Sequence, residues 1–135
     1  MPKVDAAKVW SLNYRLLLSV ITSVTPALAK LGLDSKELFV LAELDEHPYP
    51  AELAAQLCMP RPTITSNVKR LEAAGFLRRE IDAEDLRRHR LLLTPSGRKA
   101  MNLGIALLSE AFGARLSRLS GVQQAELNHL LEKLA

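Results

Sequence analysis

The chain has 135 residues, of which 48% are hydrophobic and only 4% aromatic, and its 18 Lys and Arg residues outnumber its 15 Asp and Glu residues. This length suits one domain, and the abundance of Leu and Ala favours helices over sheets. No apolar run approaches the ~18 residues of a membrane span and no signal-peptide pattern is present, so we expect a cytoplasmic protein with no membrane partner. A single cysteine excludes an intramolecular disulfide and fits a reducing compartment.

The first predicted helix covers about residues 5–31 and carries a wide apolar stripe at helical spacing. Pro26 interrupts it, because a proline inside a helix removes one hydrogen bond and clashes with the preceding turn. Either the helix kinks at Pro26, or Thr25 caps a new segment that begins there. A second helix is predicted after Asp34, which fits an N-cap with Glu37 as its capping-box partner.

Two short helices and a charged hairpin come next in the chain. Residues 51–57 and 61–74 have helical patterns with a short break between them, and Gly75 ends the second of these helices. Residues 76–81 and 89–94 read as two strands on either side of a charged tip. This order is typical of a helix-turn-helix with a β-wing, an architecture that places one helix in a DNA groove.

The C-terminal part is predicted to be helical. Thr94 and Pro95 fit the start of a long helix, and Ser120 with Gln123 fits the capping box of a last one. The first and last helices carry more apolar surface than a small winged-helix core buries, so we expect them to form a two-fold homodimer. The alternative is that they cover each other within one chain.

Positive charge is concentrated in the predicted helix-turn-helix and wing. Residues 60–90 hold eight basic and five acidic side chains, whereas the rest of the chain holds ten of each. The excess charge therefore lies where DNA phosphates would lie. The alternative is an ordinary solvated charged face.

Residues 61–74 form the predicted recognition helix. Ile64, Val68 and Leu71 share its buried face, and Arg61 at its start is the candidate for guanine recognition. Asn67 lies at the edge of the opposite arc and would read adenine only if the helix were rolled toward it. The residues of this helix predicted to bind DNA are Arg61, Pro62, Thr63, Thr65, Ser66, Asn67, Lys69 and Arg70.

The wing tip combines acidic and basic residues. Asp85 lies two residues before Arg87 and is placed to hold that guanidinium extended, which suits insertion into a minor groove. Arg88 completes the predicted DNA-binding set. The alternative is a solvated tip whose surface ion pairs contribute ~0–1 kcal/mol each.

A series of motifs extends over nearly the whole chain. They are Gly32-Leu33 with Glu37 and Leu41, Glu52-Leu53-Ala54, Arg61-Pro62-Thr63-Ile64-Thr65, Leu71-Glu72, Gly75-Phe76, and Asp82 followed by Asp85-x-Arg87, Leu93-Thr94 and Gly97. In this order and spacing they resemble the MarR (multiple antibiotic resistance regulator) family of bacterial transcription factors. The fold predicted on all these grounds is mainly α with a small β-wing. It is a single domain (1–135) in which a winged helix-turn-helix lobe (33–94) is flanked by dimerisation helices (1–32 and 95–135).

The resemblance implies a homodimer joined through its terminal helices, with recognition helices in successive major grooves and wing arginines in flanking minor grooves. It implies a pseudo-palindromic operator in double-stranded DNA and, commonly, repression relieved by a small ligand or by oxidation. It assigns Thr63, Thr65, Ser66, Lys69 and Arg70 to the DNA-facing helix, and Asp85 and Arg87 to the wing signature.

Three positions depart from the family pattern. Pro60 stands where the family often has a capping serine, Cys58 where it often has glycine, and Leu86 where many members have a basic residue. Because Pro60 has no hydroxyl, Thr63 or solvent must satisfy the first N–H groups of the recognition helix. We expect DNA binding to survive these changes, with a difference in base preference.

Ligand sites are less marked in the sequence. Cys58 reads as an inert cysteine, and His47, His89 and His129 lack cysteines or clustered acids at ligand spacing, so we predict no redox switch, metal or cofactor. Trp10, Tyr14, Arg15 and His47 are candidates to line a small-molecule effector site, with packing as the alternative role. No catalytic constellation appears, so we expect no enzyme. The alternative function is a winged-helix module that binds protein or RNA without specific DNA binding.

Overall fold

Residues 3–135, described here by a computed structural model, form six α-helices and one two-stranded antiparallel sheet. The elements are α1 (Ala6–Lys30), α2 (Ser35–Glu43), α3 (Pro50–Leu57), α4 (Arg61–Ala73), β1 (Leu77–Ile81), β2 (His89–Leu93), α5 (Pro95–Leu116) and α6 (Gly121–Leu134). The predicted mainly α fold with a small β-wing is confirmed. Each predicted element is present, with bounds shifted by one or two residues at most of the ends.

The chain divides into two compact units. The terminal unit comprises Met1–Val24 and Leu107–Ala135, and the central unit comprises Thr25–Ala106. The central unit contains α2, α3, α4 and the wing, and it is longer at both ends than the predicted lobe of residues 33–94. The boundaries between the units fall inside α1 and α5.

Helix α1 is continuous from Ala6 to Lys30 although it contains Pro26. The alternative in which Thr25 caps a separate helix is therefore wrong. Val24 and Leu28 are buried on either side of the proline. Burial of apolar side chains on both sides supplies packing energy that offsets the hydrogen bond that a proline removes.

The expectation that no apolar segment reaches membrane-spanning length is wrong for α1. Its 25 residues include an 18-residue window with a mean hydropathy of 1.2, long and apolar enough by length and composition to cross a membrane. Polar Ser, Thr and Asn residues scattered along the helix hide this from a search for uninterrupted apolar runs. Only 17% of the window is buried. One such helix does not identify a membrane protein, because core helices and signal sequences share these features.

The core of the central unit is built from leucines and β-branched residues. Fully buried side chains come from α1, α2, α3, α4 and both strands, and include Leu28, Leu38, Leu41, Leu44, Leu53, Ile64, Leu71, Leu77 and Leu91. The predicted capping box begins α2: the Glu37 N–H donates to Asp34 Oδ1 at 2.8 Å, and the Asp34 N–H donates to Glu37 Oε1 at 3.0 Å. This box fixes the first turn of α2 against the core.

The turn between α3 and α4 contains the one described non-glycine residue with a positive φ. Cys58 ends α3 in the left-handed region, at φ 52° and ψ 42°. A side chain with a Cβ is strained there, which explains why glycine suits this position in the family that the sequence resembles. The Cys58 thiol is free and exposed.

The wing is joined to the rest of the central unit at both ends. Strands β1 and β2 pair antiparallel, with Leu77 opposite Leu93 and Ile81 opposite His89. The Leu91 N–H donates to the Pro48 carbonyl at 2.8 Å, which links β2 to the loop that precedes α3. After β2, Thr94 Oγ1 accepts the Gly97 N–H at 3.0 Å, so the predicted N-cap of α5 is confirmed.

The terminal unit leaves much apolar surface exposed. Helix α6 begins with the predicted capping box of Ser120 and Gln123, and no residue in Gly121–Leu134, all described, is buried. Exposed large apolar side chains of the unit are Val4, Val9, Trp10, Leu12, Tyr14, Leu16, Leu17, Leu18, Val122, Leu130, Leu131 and Leu134. Monomeric soluble proteins rarely expose large apolar patches, so these side chains are candidates for contact with a partner chain.

Candidate nucleic-acid interface

Helix α4 has one buried apolar face and one exposed polar face. Ile64, Val68 and Leu71 are buried, as the helical spacing predicts. On the opposite face an open depression is lined by Arg61, Pro62, Thr65, Ser66 and Lys69. The predicted polar arc therefore exists as a concave, basic surface with hydroxyl groups in it.

The start of α4 has no side-chain cap among the described residues. Pro60 occupies the N-cap at φ −59° and ψ 145°, and Pro62 lies in the first turn. A helix start without a cap leaves backbone N–H groups free for an outside acceptor, and the helix dipole favours an anion there. Thr63 does not replace the missing cap, so solvent or a ligand must.

Asn67 is the predicted contact residue that the structure places differently. Its side chain is buried, with 6% of its surface exposed, and Nδ2 has no hydrogen-bond partner in the described chain. The physical reason is helical periodicity: position 67 lies three residues after Ile64 and four before Leu71, on the same face of α4. The expectation that Asn67 lies at the edge of the exposed arc is therefore wrong.

Arg70 is exposed on α4 but is tied to the start of α2. Its Nη2 donates to Glu37 Oε1 at 3.1 Å, and its Nη1 lies 3.7 Å from Asp34 Oδ2. Glu37 is only 2% exposed. Burial raises the pKa of the Glu37 carboxyl, and the Asp34 N–H and the Arg70 charge oppose that rise. Arg70 thus joins α4 to α2 in addition to any role toward DNA.

The wing tip holds the predicted carboxylate–guanidinium pair. Arg87 Nε donates to Asp85 Oδ1 at 3.2 Å, and the Arg87 backbone N–H donates to the same oxygen at 3.0 Å. These two donors hold the pKa of the Asp85 carboxyl below its usual value. The Arg87 side chain is nevertheless 91% exposed. The predicted pairing is confirmed, and it leaves the arginine directed into solvent.

The base of the wing has a second cluster that the sequence did not indicate. Tyr49 Oη donates to Asp82 Oδ2 at 2.6 Å, and Arg88 Nε donates to the same oxygen at 2.9 Å. The Arg88 guanidinium carbon lies 3.9 Å from the centre of the Tyr49 ring. Tyr49 and Asp82 are 33 residues apart, so no local spacing signals their contact. Arg88, predicted to bind DNA, is engaged here with its own chain.

Ion pairs divide the basic residues of this surface into two groups. Arg78 pairs with Glu80, and Arg79 pairs with Glu72. Of the eight basic residues between positions 60 and 90, Arg61, Lys69 and Arg90 make no ion pair with any described residue, so no paired carboxylate offsets their charge. Arg61 and Lys69 both lie on the exposed face of α4.

The candidate effector residues fall into two places. Trp10 and Tyr14, one turn apart on α1, stack with ring centres 6.0 Å apart, and both are exposed. Arg15 follows them on an exposed position of the same helix. His47 belongs to the central unit and is half-buried. Its Nε2 lies 3.9 Å from Glu43 Oε2.

One expectation about metal ligands is wrong. The sequence was predicted to hold no acids at ligand spacing around a histidine, yet Glu43, Glu46 and His47 have ligand atoms within 4.8 Å of one another. The end of α2 and the turn after it bring these positions to one side, as i, i+3 and i+4 spacing does. Two carboxylates and an imidazole are a donor set that suits a divalent transition metal.

Sequence and structure comparisons give the family of this chain. A sequence model of the MarR family matches residues 31–88. The HTH-type transcriptional repressor Rv2887 of Mycobacterium tuberculosis is 31% identical over 132 residues, which cover 96% of this chain and 95% of that protein. The chain belongs to the MarR family. It is therefore a winged helix-turn-helix, DNA-binding transcriptional regulator.

Solved structures of MarR proteins have the same fold. The M. tuberculosis MarR family protein Rv2887 in complex with salicylic acid aligns with a TM-score of 0.77 at 29% identity, over 98% of each chain. The complex of that protein with p-aminosalicylic acid gives 0.75 at 30% identity, over 92% of this chain and 95% of that one. CouR from Rhodococcus jostii RHA1, bound to p-coumaroyl-CoA, gives 0.80 at 22% identity, over 93% and 90% respectively. This last likeness concerns the fold alone.

Proposed function

We propose that the protein is a cytoplasmic homodimeric repressor that binds a pseudo-palindromic operator in double-stranded DNA and releases it on binding a small molecule. The observation that carries the proposal is the exposed face of α4. It offers two basic side chains, Arg61 and Lys69, that pair with no carboxylate in the described part of the chain, around a concave surface with hydroxyl groups. A helix with this face fits a major groove, where base edges and phosphates are both within reach.

The proposed DNA contacts follow from charge and exposure. Arg61 at the start of α4 reads a guanine, because a guanidinium donates two hydrogen bonds to the guanine edge. Pro62, Thr63, Thr65 and Ser66 contact bases or sugar–phosphate, and Lys69 and Arg70 contact phosphate. Arg87 enters the adjacent minor groove, which its exposure supports, with Asp85 holding it extended. Asn67 is left out because its side chain is buried.

A homodimer is proposed from the apolar surface of the terminal unit. The exposed apolar residues of α1 and α6 support burial against a second copy of the chain. Burial in a dimer also gives a reason for the high hydropathy of α1 that needs no membrane. This is consistent with the proposed cytoplasmic location. Two copies related by a two-fold axis would present two α4 helices to two half-sites.

The effector that we propose is a small aromatic acid. The support is the pair of Rv2887 complexes, with salicylic acid and with p-aminosalicylic acid. In this chain Trp10 and Tyr14 offer aromatic faces and Arg15 offers a cation for a carboxylate. His47 remains a candidate by its position in the sequence.

The function is tested by selecting random duplex DNA on the purified protein. We expect an enriched inverted repeat whose binding is weakened by salicylic acid. Selection with Arg61→Ala should lose a guanine from each half-site. Arg98→Ala, which removes an exposed ion pair between α5 and Asp45 and leaves the residues of α4 unchanged, should enrich the same repeat as wild type. Salt-sensitive retention without a motif would contradict sequence-specific regulation. It would favour the module that binds protein or RNA.

A further inference from the structure

Tyr49 occupies the position before α3 but does not cap that helix. N-cap positions favour Ser, Thr, Asp and Asn, whose short side chains accept hydrogen bonds from the first turn. In the chain from residue 3 onward, which the structure describes, Tyr49 makes no such bond. Its hydroxyl instead donates to Asp82 Oδ2 at 2.6 Å, on the first residue after β1. A residue of the helix-turn-helix is thus attached directly to the base of the wing.

Asp82 is the centre of this attachment. Its side chain is 7% exposed and both carboxylate oxygens are used: Oδ2 by Tyr49 and Arg88, and Oδ1 by the Glu84 N–H at 2.9 Å. Its own N–H donates to the Arg88 carbonyl at 3.1 Å. These contacts hold the pKa of the Asp82 carboxyl at about 2, with the Tyr49 hydroxyl as the largest cause. The carboxylate is therefore charged at any physiological pH.

Tyr49, Asp82 and Arg88 close a triangle, which we call the wing clamp. Asp82 accepts from both partners, and the Arg88 guanidinium lies 3.9 Å over the Tyr49 ring. Each side of the triangle is a strong type of contact, because two are charge-assisted hydrogen bonds and the third is a cation–π contact. Removing the Tyr49 hydroxyl would break the hydrogen bond to Asp82 and weaken the two contacts that Arg88 makes with Asp82 and with the Tyr49 ring.

The wing clamp encloses the tip that carries Arg87. Only five residues separate Asp82 from Arg88, and the Arg88 N–H donates to the Asp85 carbonyl at 3.2 Å. Within the described residues, the Arg87 side chain is held by Asp85 alone and is 91% exposed. Its position relative to α4 therefore depends on what fixes the two ends of the tip.

We infer that Tyr49 is a positioning residue that holds the wing, through Asp82 and Arg88, in the pose in which Arg87 meets DNA. The inference rests on the proposed function, since it assigns the geometry of the wing contact. A tip ordered before binding loses less conformational entropy when it enters a groove, so the wing clamp raises operator affinity without touching DNA.

The test is a double-mutant cycle on the selected operator. Tyr49→Phe removes only the hydroxyl and keeps the ring under Arg88. Each protomer loses one hydrogen bond, so we expect operator binding to weaken about fivefold per half-site, or about 25-fold for the dimer. Combined with Arg87→Ala, it should weaken binding no further than Arg87→Ala alone. Ser117→Ala removes the hydrogen bond that the exposed Ser117 hydroxyl donates to the Ala114 carbonyl in α5, and this variant should bind as wild type.

Hydrogen exchange measures the positioning without DNA. Tyr49→Phe and Asp82→Asn should speed exchange of the amides of residues 82–88, while the amides of α4 keep their wild-type rates. A merely structural role would instead lower protection throughout the central unit.

Three results would overturn the inference. They are wild-type operator binding by Tyr49→Phe, a loss fully additive to that of Arg87→Ala, and unchanged exchange in residues 82–88. A failure of the proposed function is recognised separately, because wild type itself would then select no motif. The exchange experiment would still decide the role of Tyr49.

Discussion

Asp82 shows at the scale of one residue how a contact at the base of the wing sets a measurable property. A carboxyl whose pKa is lower in the folded state than in the unfolded chain stabilises the fold above its ordinary pKa. That stabilisation is lost as the pH falls through the folded value. For Asp82 the window runs from its ordinary 3.8 down to about 2.

The first prediction concerns this pKa. In Tyr49→Phe the pKa of Asp82 should rise from about 2 toward 3.8, because the Tyr49 hydroxyl is the largest cause of its depression. An NMR titration of the Asp82 carboxyl carbon in both proteins checks this. Asp85, whose pKa is lowered by Arg87 rather than Tyr49, is the internal control. An Asp82 pKa that is the same in the variant would contradict the hydrogen bond.

The residues that the sequence could identify are those whose partners are near in the chain. The capping boxes at Asp34 and Ser120 follow a three-residue spacing, and Asp85 and Arg87 are two residues apart. Tyr49 with Asp82, and Glu37 with Arg70, are each 33 residues apart and meet only through tertiary packing. Local spacing therefore predicts the exposed arginine of the wing tip but not the contacts that fix its base.

At the scale of elements, the first turn of α5 packs closely at Gly97 against the backbone of Phe76, which precedes the wing. A Cβ built on Gly97 would lie 1.8 Å from the Phe76 carbonyl oxygen, so only glycine lets the first turn of α5 pack on the residue before β1. The same helix contains Gly113, where an added Cβ would meet no described atom within 4 Å beyond its neighbours in the helix. The two glycines form a matched pair for substitution.

The second prediction uses this pair. Gly97→Ala should lower the free energy of unfolding by about 3 kcal/mol, because backbone must move to admit the methyl group. Gly113→Ala should leave it unchanged or raise it by about 0.5–1 kcal/mol, because alanine favours a helix interior. Urea unfolding of both variants measures the difference. Equal stability of the two would mean that α5 does not approach Phe76 so closely.

Element boundaries were largely predictable, whereas the burial of α4 was only partly so. Gly75, whose φ is +80°, lies just after the end of α4, where the sequence predicted the helix to stop. Thr94 and Pro95 mark the start of α5, also as predicted. Asn67 was misplaced because its polar side chain masks a position that helical periodicity assigns to the buried face. The burial of such a polar residue can be predicted only from its position in the helical repeat, because its polarity alone predicts exposure.

At the scale of the whole molecule, the exposed apolar side chains of α1 are the main support for a dimer. Leu12 and Leu16 are one turn apart, and 52% and 38% of their surfaces are exposed. Fully burying an exposed leucine side chain contributes about 1.5–3 kcal/mol, so covering this partly exposed face with a second copy would favour association.

The third prediction tests this association. Replacing both Leu12 and Leu16 with Glu should raise the dimer dissociation constant at least ~100-fold, because each substitution removes apolar burial and introduces charge into the interface. Sedimentation velocity across a range of protein concentrations measures it. Ala42→Glu, which adds one such charge at an exposed position of α2, should sediment as wild type. A double variant that still sediments as wild type would place the dimer interface elsewhere.

The most direct test of a two-fold regulator with paired α4 helices is the phasing of the half-sites. We would insert five or ten base pairs between the half-sites of the selected operator and measure the affinity and the number of bound chains. Half-sites about one helical turn apart lie on one side of the duplex, so five added base pairs rotate one of them to the opposite side. We predict that the five-pair insertion abolishes paired binding of two chains, and that the ten-pair insertion weakens it less because it restores the rotation. Equal affinity for all three spacings, with one chain per half-site, would contradict the account.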